Sequence, residues 1–223
     1  MAKKVFLGVG HGGVDSGAVG NGFKEKDLNL SIALACNEVL VRHGVSVQMS
    51  RTNDANDTCA EEIKECNAFK PDLAVDIHNN AGGGDGAEAF YHYNGGTGKT
   101  LAVNVLDEIV KIGQNSRGAK IKTNAQGKDY FGFIRETLAP AIIIECAFVD
   151  NATDIKIIDT EAERKTMGIA IAKGILKTLG ISYVGEVKNS AVDVSKYEAE
   201  IKTLTEKNKA LQSKIEQIKA IVV

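Results

Sequence analysis

Four side chains in the 223-residue sequence have the chemistry to bind a metal ion and to move a proton. His11 lies in the glycine-rich stretch GHGG, and Glu25 closes the polar segment that follows it. His78 ends the apolar run DLAVDIH, and Glu145 follows four apolar residues in AIIIEC. Two histidines and one carboxylate with an open fourth position are the ligand set of a catalytic zinc ion. A further glutamate beside such an ion can act as a general base.

Residue type alone leaves other interpretations of these side chains open. A single histidine after a strand is more often structural than a metal ligand. Glu145 could form an ion pair with Arg135 or Arg117, since a buried charge requires a partner. Of the remaining histidines, His43 is expected to contact the end of a helix. His92 lies in the alternating stretch YHYN and is expected to be exposed or to lie behind the site.

The glycine-rich loop also has the spacing of a dinucleotide-binding motif. Gly8, Gly10 and Gly13 spell G-x-G-x-x-G after the apolar run VFLGV. In a dinucleotide site this loop must enter a helix whose N-terminus holds the phosphates. Six glycines between positions 10 and 22, without an apolar period, argue against a helix there. The pattern therefore favours a loop that wraps a small site over one that binds a nucleotide.

Apolar runs alternate with amphipathic stretches along the first 180 residues. This alternation predicts an α/β fold with a mainly parallel twisted sheet flanked by helices. The strands are expected at 5–9, 45–49, 72–78, 87–93, 130–135 and 141–149. The helices are expected at 60–70, 98–115 and 161–180 and from an Asp27 cap to Gly44, with a surface loop over 116–130.

The predicted strands place the candidate residues relative to one another. His11 and His78 each come at the carboxyl end of a strand, and sites in parallel sheets gather at that edge. We therefore expect the two imidazoles to approach one another there.

The C-terminal part of the chain has a different pattern. Residues 183–192 are expected to be a linker, and 193–223 an amphipathic helix with heptad spacing. Asn208 occupies an a position, which favours a parallel pair and hence a homodimer through 193–223. The charges that flank the seam support pairing only weakly. Two alternatives therefore remain: an amphipathic helix that lies on the domain, or a stalk. The seam consists of Val194, Tyr197, Ile201, Leu204, Asn208, Leu211, Ile215, Ile218 and Val222.

Composition restricts the partners and the compartment. A net charge of −2 gives no indication of a nucleic-acid partner. The first residues lack the apolar region of a secretory signal, and no apolar run approaches the ~20 residues of a membrane span. We therefore expect a chain made in the cytoplasm without a signal peptide and without a membrane partner. The four cysteines are expected to be free thiols.

Four segments in this order resemble a known enzyme family. They are GHGGVDSGAVG (10–20), EKD (25–27), DIHNNA (76–81) and IIECAFVDN (143–151). Together they resemble the zinc-dependent N-acetylmuramoyl-L-alanine amidases of the amidase-3 type, found in bacterial autolysins and phage endolysins. The resemblance covers roughly residues 4–180. The chain departs from the family at Gly8 and Val9, where the motif has Asp and Pro, and at Ala147, where Gly is usual.

The resemblance implies a function and a set of roles. Residues 1–182 would form the catalytic domain, in which His11, Glu25 and His78 bind Zn²⁺ and Glu145 is catalytic. The enzyme would hydrolyse the amide bond between N-acetylmuramic acid and L-alanine in peptidoglycan, and would act on the cell wall after release.

Weaker candidates and alternatives accompany this assignment. Arg135 and Asn80 are candidate substrate-binding residues, although Arg135 could equally form a surface ion pair. The alternative functions are another zinc hydrolase of peptidoglycan, namely a carboxypeptidase or a deacetylase, or a catalytically silent wall-binding protein.

Overall fold

The computed structural model describes residues 2–185, 201–212 and 214–215. The chain divides into two compact units, Met1–Tyr183 and Val184–Val223.

A six-stranded sheet forms the centre of the first unit, beside a separate two-stranded hairpin. The sheet strands are β1 (Lys4–Val9), β4 (Ser46–Met49), β5 (Leu73–Asn80), β6 (Ala87–Tyr91), β7 (Ser116–Lys120) and β8 (Ala141–Phe148), and the hairpin strands are β2 (Val19–Gly20) and β3 (Phe23–Lys24). The order in the sheet is β4-β1-β5-β8-β6-β7. Four strands, β4, β1, β5 and β8, are mutually parallel, and β6 with its parallel neighbour β7 runs antiparallel to β8.

Helices cover both faces of this sheet. They are α1 (Glu25–Arg42), α2 (Cys59–Phe69), α3 (Gly96–Val110), α4 (Gly132–Glu136) and α5 (Glu161–Leu179), with a 3₁₀ turn at Asp154–Ile157. The larger hydrophobic cluster lies between the sheet and α1, α3 and α5, and the smaller one between the sheet and α2 and α4. Because both faces are buried, the central strands are almost continuously apolar until their ends. This architecture confirms the predicted α/β fold with a mainly parallel sheet flanked by helices.

Two of the expected elements are wrong. Residues 130–135 were expected to form a strand, but α4 begins at Gly132 and buries Phe133 and Ile134 under the sheet. A short apolar run does not distinguish a strand from one turn of helix, and packing decides. Residues 116–130 are not all loop, because β7 pairs with β6 at the edge of the sheet. The segment SRGAK lacks an apolar face, as edge strands often do.

The start of α1 also differs from the expectation. The helix begins at Glu25, with Lys24 rather than Asp27 at the N-cap position. Because β3 leads directly into α1, the hairpin fixes where the helix starts. This difference matters because it places Glu25 in the first turn of the helix.

In the second unit, residues 201–212 and 214–215 are helical, and every described side chain there is exposed. Ile201, Leu204, Leu211 and Ile215 are the apolar residues of this stretch that lie on the predicted seam. Most of the expected linker and the seam positions Val194, Tyr197, Ile218 and Val222 lie outside the described residues. The linker boundaries and the coiled coil therefore stay predictions.

None of the described helices is both long enough and apolar enough to cross a bilayer.

Candidate metal centre

The carboxyl edge of the sheet brings His11 and His78 together, as their positions after strands predict. β1 and β5 are parallel neighbours, with Val9 opposite Ile77. The two imidazole rings lie 5.1 Å apart between centroids and are nearly perpendicular. A Cβ atom at Gly10 would lie 2.1 Å from the ring of His78, so a glycine is required where the chain passes this ring.

Glu25 lies between the two rings. Its Oε2 atom is 3.2 Å from Nε2 of His11, and its Oε1 atom is 3.0 Å from Nδ1 of His78. The backbone N–H groups of Ala18 and Asn79 donate hydrogen bonds to the same carboxylate. Only 4% of Glu25 is exposed, and its place in the first turn of α1 favours a negative charge.

The donor atoms of His11, Glu25 and His78 all lie within 4.8 Å of one another. Within the described residues, this is the one group of at least three histidine, cysteine or acidic side chains with that property. Ligands of a tetrahedral zinc ion, each at about 2.0–2.1 Å, lie roughly 3.3 Å apart. The 3.2 and 3.0 Å separations between the Glu25 oxygens and the imidazole nitrogens are close to this value, and the donor set is one that zinc takes in catalytic sites.

The pKa values of the three groups reflect their mutual contacts. Burial raises the pKa of Glu25, but its hydrogen bonds with His11 and His78 outweigh burial and lower it below its usual range. The hydrogen bond with Glu25 raises the pKa of His11. Burial lowers the pKa of His78, but the charge of Asp76 and its hydrogen bond raise it well above its usual value. A bound cation would take the place of the protons that these groups share, so metal binding is expected to release protons.

Each imidazole has a second carboxylate behind it that the sequence did not single out. Nδ1 of His11 lies 2.8 Å from Asp15, and Nε2 of His78 lies 3.2 Å from Asp76. The only sequence feature that points to these two carboxylates is their closeness in the chain to a histidine. Asp15 is four residues from its histidine in a glycine-rich loop, and Asp76 is two residues before His78, hence on the same face of β5.

Arg51 holds the glycine-rich loop against the end of β1. Its guanidinium is almost fully buried and donates hydrogen bonds to backbone carbonyls of Val9, Gly10, Lys26 and Asn53. It thereby ties the loop that carries His11 to the start of α1. The sequence did not predict this role, since four carbonyls from three segments converge only in the folded chain.

Glu145 lies beside the three candidate zinc ligands but is not one of them. It is directly opposite His78 in the β5–β8 pair. Its Oε2 atom is buried and makes no hydrogen bond among the described residues. Burial raises the pKa of Glu145 to about 7, because burial and the charges of Glu25, Asp76 and Glu88 outweigh the opposing charge of His78.

The ion-pair alternative for Glu145 is wrong. Arg117 pairs with Glu88, and Arg135 pairs with Glu136. Among the described side chains, Glu145 therefore has no arginine or lysine partner, and the basic group that faces it is the imidazole of His78.

The two candidate substrate-binding residues make contacts within the protein. Asn80 at the end of β5 donates a hydrogen bond to Glu88 of β6, across the intervening strand β8. Arg135 donates to the carbonyls of Asp129 and Tyr130 as well as to Glu136. Contact of either residue with substrate stays a prediction.

The remaining histidines lie away from the metal group. Nδ1 of His43 is 2.7 Å from the carbonyl oxygen of Val39 at the C-terminal end of α1, as expected. His92 is partly exposed and pairs with Asp129. The four cysteines are free, as predicted, and all but Cys59 are buried.

A cleft of about 640 Å³ opens beside the two imidazoles. Its lining includes the apolar residues Phe131, Phe133 and Ile143 and the acidic residues Asp57 and Glu62. The cleft is large enough to hold the part of a substrate next to the bond that would react.

Comparison with known proteins identifies relatives of this chain. The model of the N-acetylmuramoyl-L-alanine amidase family Amidase_3 matches residues 5–177. The chain is similar to the N-acetylmuramoyl-L-alanine amidase CwlM of Bacillus licheniformis, with 33% identity over 183 residues that cover 80% of this chain and 70% of CwlM. It is similar to the endolysin of Bacillus phage SPP1, with 32% identity over 190 residues that cover 81% of this chain and 68% of the endolysin.

A solved structure shows the same fold. Cwp6 from Clostridium difficile matches with a TM-score of 0.78 and 40% identity, over 80% of this chain. The match spans 30% of Cwp6, which is the longer protein. Because the family model covers most of this chain and includes all four motifs, the chain belongs to the Amidase_3 family of N-acetylmuramoyl-L-alanine amidases.

Proposed function

We propose that this chain uses Zn²⁺ to hydrolyse the amide bond between N-acetylmuramic acid and L-alanine in peptidoglycan. The observation that carries this proposal is the convergence of His11, Glu25 and His78 at one edge of the sheet, beside the unpaired carboxylate of Glu145.

The three converging side chains would hold the ion. His11 would bind through Nε2, His78 through Nδ1 and Glu25 through its carboxylate, because these atoms face one another. When bound, zinc polarises a carbonyl group and lowers the pKa of a water molecule from 15.7 toward about 7. Two neutral imidazoles and one carboxylate leave the site with a net positive charge, which suits both effects.

Glu145 would move the proton. A base must be within reach of the attacking water and must not be held in an ion pair with an arginine or lysine, and among the described residues Glu145 has no such pair. As the water attacks the carbonyl carbon of the lactyl group, Glu145 would accept a proton at its carboxylate. It would then donate this proton to the departing amine of L-alanine.

The biological setting would be lysis of the bacterial cell wall. The similarity to an endolysin and to a bacterial amidase supports action on peptidoglycan, either in phage release or in autolysis. Residues 1–182 would carry this activity, and the enzyme would reach the wall after release from the cytoplasm.

Digestion of purified peptidoglycan with mass spectrometry of the products tests the proposal. An amidase releases intact stem peptides with a free N-terminal L-alanine and leaves the lactyl carboxyl group on the glycan. Release of D-alanine would indicate a carboxypeptidase, and release of acetate a deacetylase. The absence of any product from zinc-loaded protein would favour a silent wall-binding protein.

Two variants separate the roles within the site. His78→Ala is expected to lose both zinc and hydrolysis, whereas Glu145→Gln is expected to keep zinc and lose hydrolysis. Glu161→Gln, at an exposed position in α5, is the control and should change neither. If Glu145→Gln released stem peptides at the wild-type rate, the role assigned to Glu145 would be wrong.

A further inference from the structure

His78 has a carboxylate on each side of its ring. Nδ1 faces Glu25 at 3.0 Å, and Nε2 faces Asp76 at 3.2 Å. A neutral imidazole carries one proton, so either nitrogen could present its lone pair, depending on which carboxylate accepts the proton. The position of the proton therefore decides whether His78 can bind a metal ion beside Glu25.

Asp76 lies where it can determine which nitrogen of His78 carries the proton. It lies on β5 two residues before His78, so both side chains project from the same face of the strand. Only 3% of Asp76 is exposed, and its Oδ1 atom makes no hydrogen bond among the described residues. A buried carboxylate with an unpaired oxygen destabilises a fold, so packing alone does not explain why an aspartate occupies this position.

The neighbouring strand leaves room for this carboxylate. Gly8 lies directly opposite Asp76 in the β1–β5 pair. A Cβ atom at position 8 would lie 2.6 Å from Oδ1 of Asp76, closer than real Cβ contacts allow. Asp76 can therefore occupy this position only because residue 8 is a glycine.

We propose that Asp76 is a positioning residue that keeps the proton of His78 on Nε2 and thereby presents Nδ1 to the metal beside Glu25, with Gly8 providing the space. This inference rests on the proposed function, because it assumes that the three converging side chains bind a divalent ion. Carboxylates that accept the N–H of a metal-bound histidine fix the tautomer and the ring orientation.

A neighbouring carboxylate provides a matched control. Glu62, on α2, is also buried and also lines the cleft. It accepts hydrogen bonds from the backbone N–H of Val9 and the hydroxyl of Ser50, and it makes no hydrogen bond to His78. Asp76→Asn and Glu62→Gln each replace one buried carboxyl group by an amide of the same shape, but only the first changes the group that faces Nε2.

Zinc affinity, measured by competition with a chromogenic chelator, tests the proposal without using activity. Asp76→Asn is expected to weaken zinc binding about 10-fold and Asp76→Ala up to roughly 100-fold, the range for loss of such a partner. Glu62→Gln should stay within about threefold of wild type. The proposal is overturned if Asp76→Ala binds zinc as wild type does, or if Glu62→Gln weakens binding as much as Asp76→Asn. Thermal unfolding of each metal-free variant checks that the variants are folded.

A double-mutant cycle tests the part played by Gly8. Gly8→Ala should weaken zinc binding in the wild-type background, because the new methyl group displaces Asp76. In the Asp76→Ala background its further effect should be much smaller, since the carboxyl group that it meets first is gone and only Cβ of residue 76 remains, at 3.1 Å. If the two losses in affinity simply add, Gly8 does not act through Asp76.

Imidazole ¹⁵N spectra of the zinc-loaded protein report the tautomer directly. His78 is expected to show a protonated Nε2 and a metal-bound Nδ1. Binding through Nε2 would contradict the inference while leaving the zinc site itself intact. If the wild-type protein bound no zinc at all, the proposed function would fail instead, so the two failures are distinguishable.

Discussion

Single residues at the sheet edge determine what the site can do. Oε2 of Glu145 makes no hydrogen bond among the described residues, and Gly10 lets the chain pass the ring of His78. The candidate ligands could be predicted from the sequence because each is a polar residue next to an apolar strand or a glycine loop. Asp76 could not, since its contact with His78 depends on which face of β5 the two residues share and on the space at Gly8.

The raised pKa of Glu145 predicts a pH-dependent effect on stability. In the metal-free protein this pKa lies near 7, above that of an unfolded glutamate. The folded state therefore binds the extra proton, and the stability from this group is present at acidic pH and is lost as pH rises through 7. Glu145→Gln cannot ionise, so from pH 5 to pH 8 it should gain on the order of 2 kcal/mol in unfolding free energy relative to wild type.

Urea denaturation of metal-free protein at several pH values measures this difference. A constant difference in unfolding free energy across the pH range would show that Glu145 is not held in an unfavourable ionised state.

Gly10→Ala is expected to disrupt the site through packing. The new Cβ atom would collide with the ring of His78, which must move away from Glu25. Zinc affinity should fall at least about 10-fold, since ligand geometry is lost. Gly98→Ala in α3 is the control, because its Cβ meets nothing closer than 3.4 Å and alanine favours a helix. Unchanged zinc binding by Gly10→Ala would contradict the geometry given for His78.

At the scale of elements, the site depends on where β1, β5, β8 and α1 end or begin. The parallel order β1-β5-β8 places the loop of His11, His78 and Glu145 along one edge. The sequence predicted these strands because they are long and apolar. It missed β7 and α4, which are short, and it placed the start of α1 too late because the β2–β3 hairpin left no apolar pattern.

Arg51 is expected to stabilise the packing of the His11 loop against the end of β1 and the start of α1. Replacement by alanine leaves several buried carbonyls without a donor, so unfolding free energy should fall by about 2–4 kcal/mol. Because the same bonds hold the loop of His11 against α1, zinc affinity should fall as well. Arg42→Ala, at the exposed end of α1, is the control for loss of an arginine. Equal stability of the two variants would show that Arg51 does not hold the loop.

At the scale of the whole molecule, the second unit has an apolar stripe that no described residue covers. Ile201, Leu204, Leu211 and Ile215 are each at least half exposed. With Asn208 included, the successive spacings are three, four, three and four residues. The heptad pattern predicted a helix here, and residues 201–212 and 214–215 are helical. Pairing through this stripe stays a prediction, because it depends on a second chain.

Sedimentation or light scattering of the full chain tests this pairing. We expect a dimer that dissociates when Leu204 and Leu211 are both replaced by glutamate, since buried charges oppose a coiled-coil seam. Replacement of Lys202 and Lys209 by glutamate, off the seam, should leave the dimer intact. A wild-type protein that is monomeric at tens of micromolar would contradict the prediction.

The central claim is that zinc, held by His11, Glu25 and His78, cleaves the amide bond between muramic acid and L-alanine. Titration of metal-stripped protein with Zn²⁺, while new N-terminal L-alanine is counted in digested peptidoglycan, tests it most directly. The account predicts no cleavage without metal and activity that rises until one zinc ion is bound per chain. Full activity of the stripped protein, or saturation that His78→Ala leaves unchanged, would contradict it.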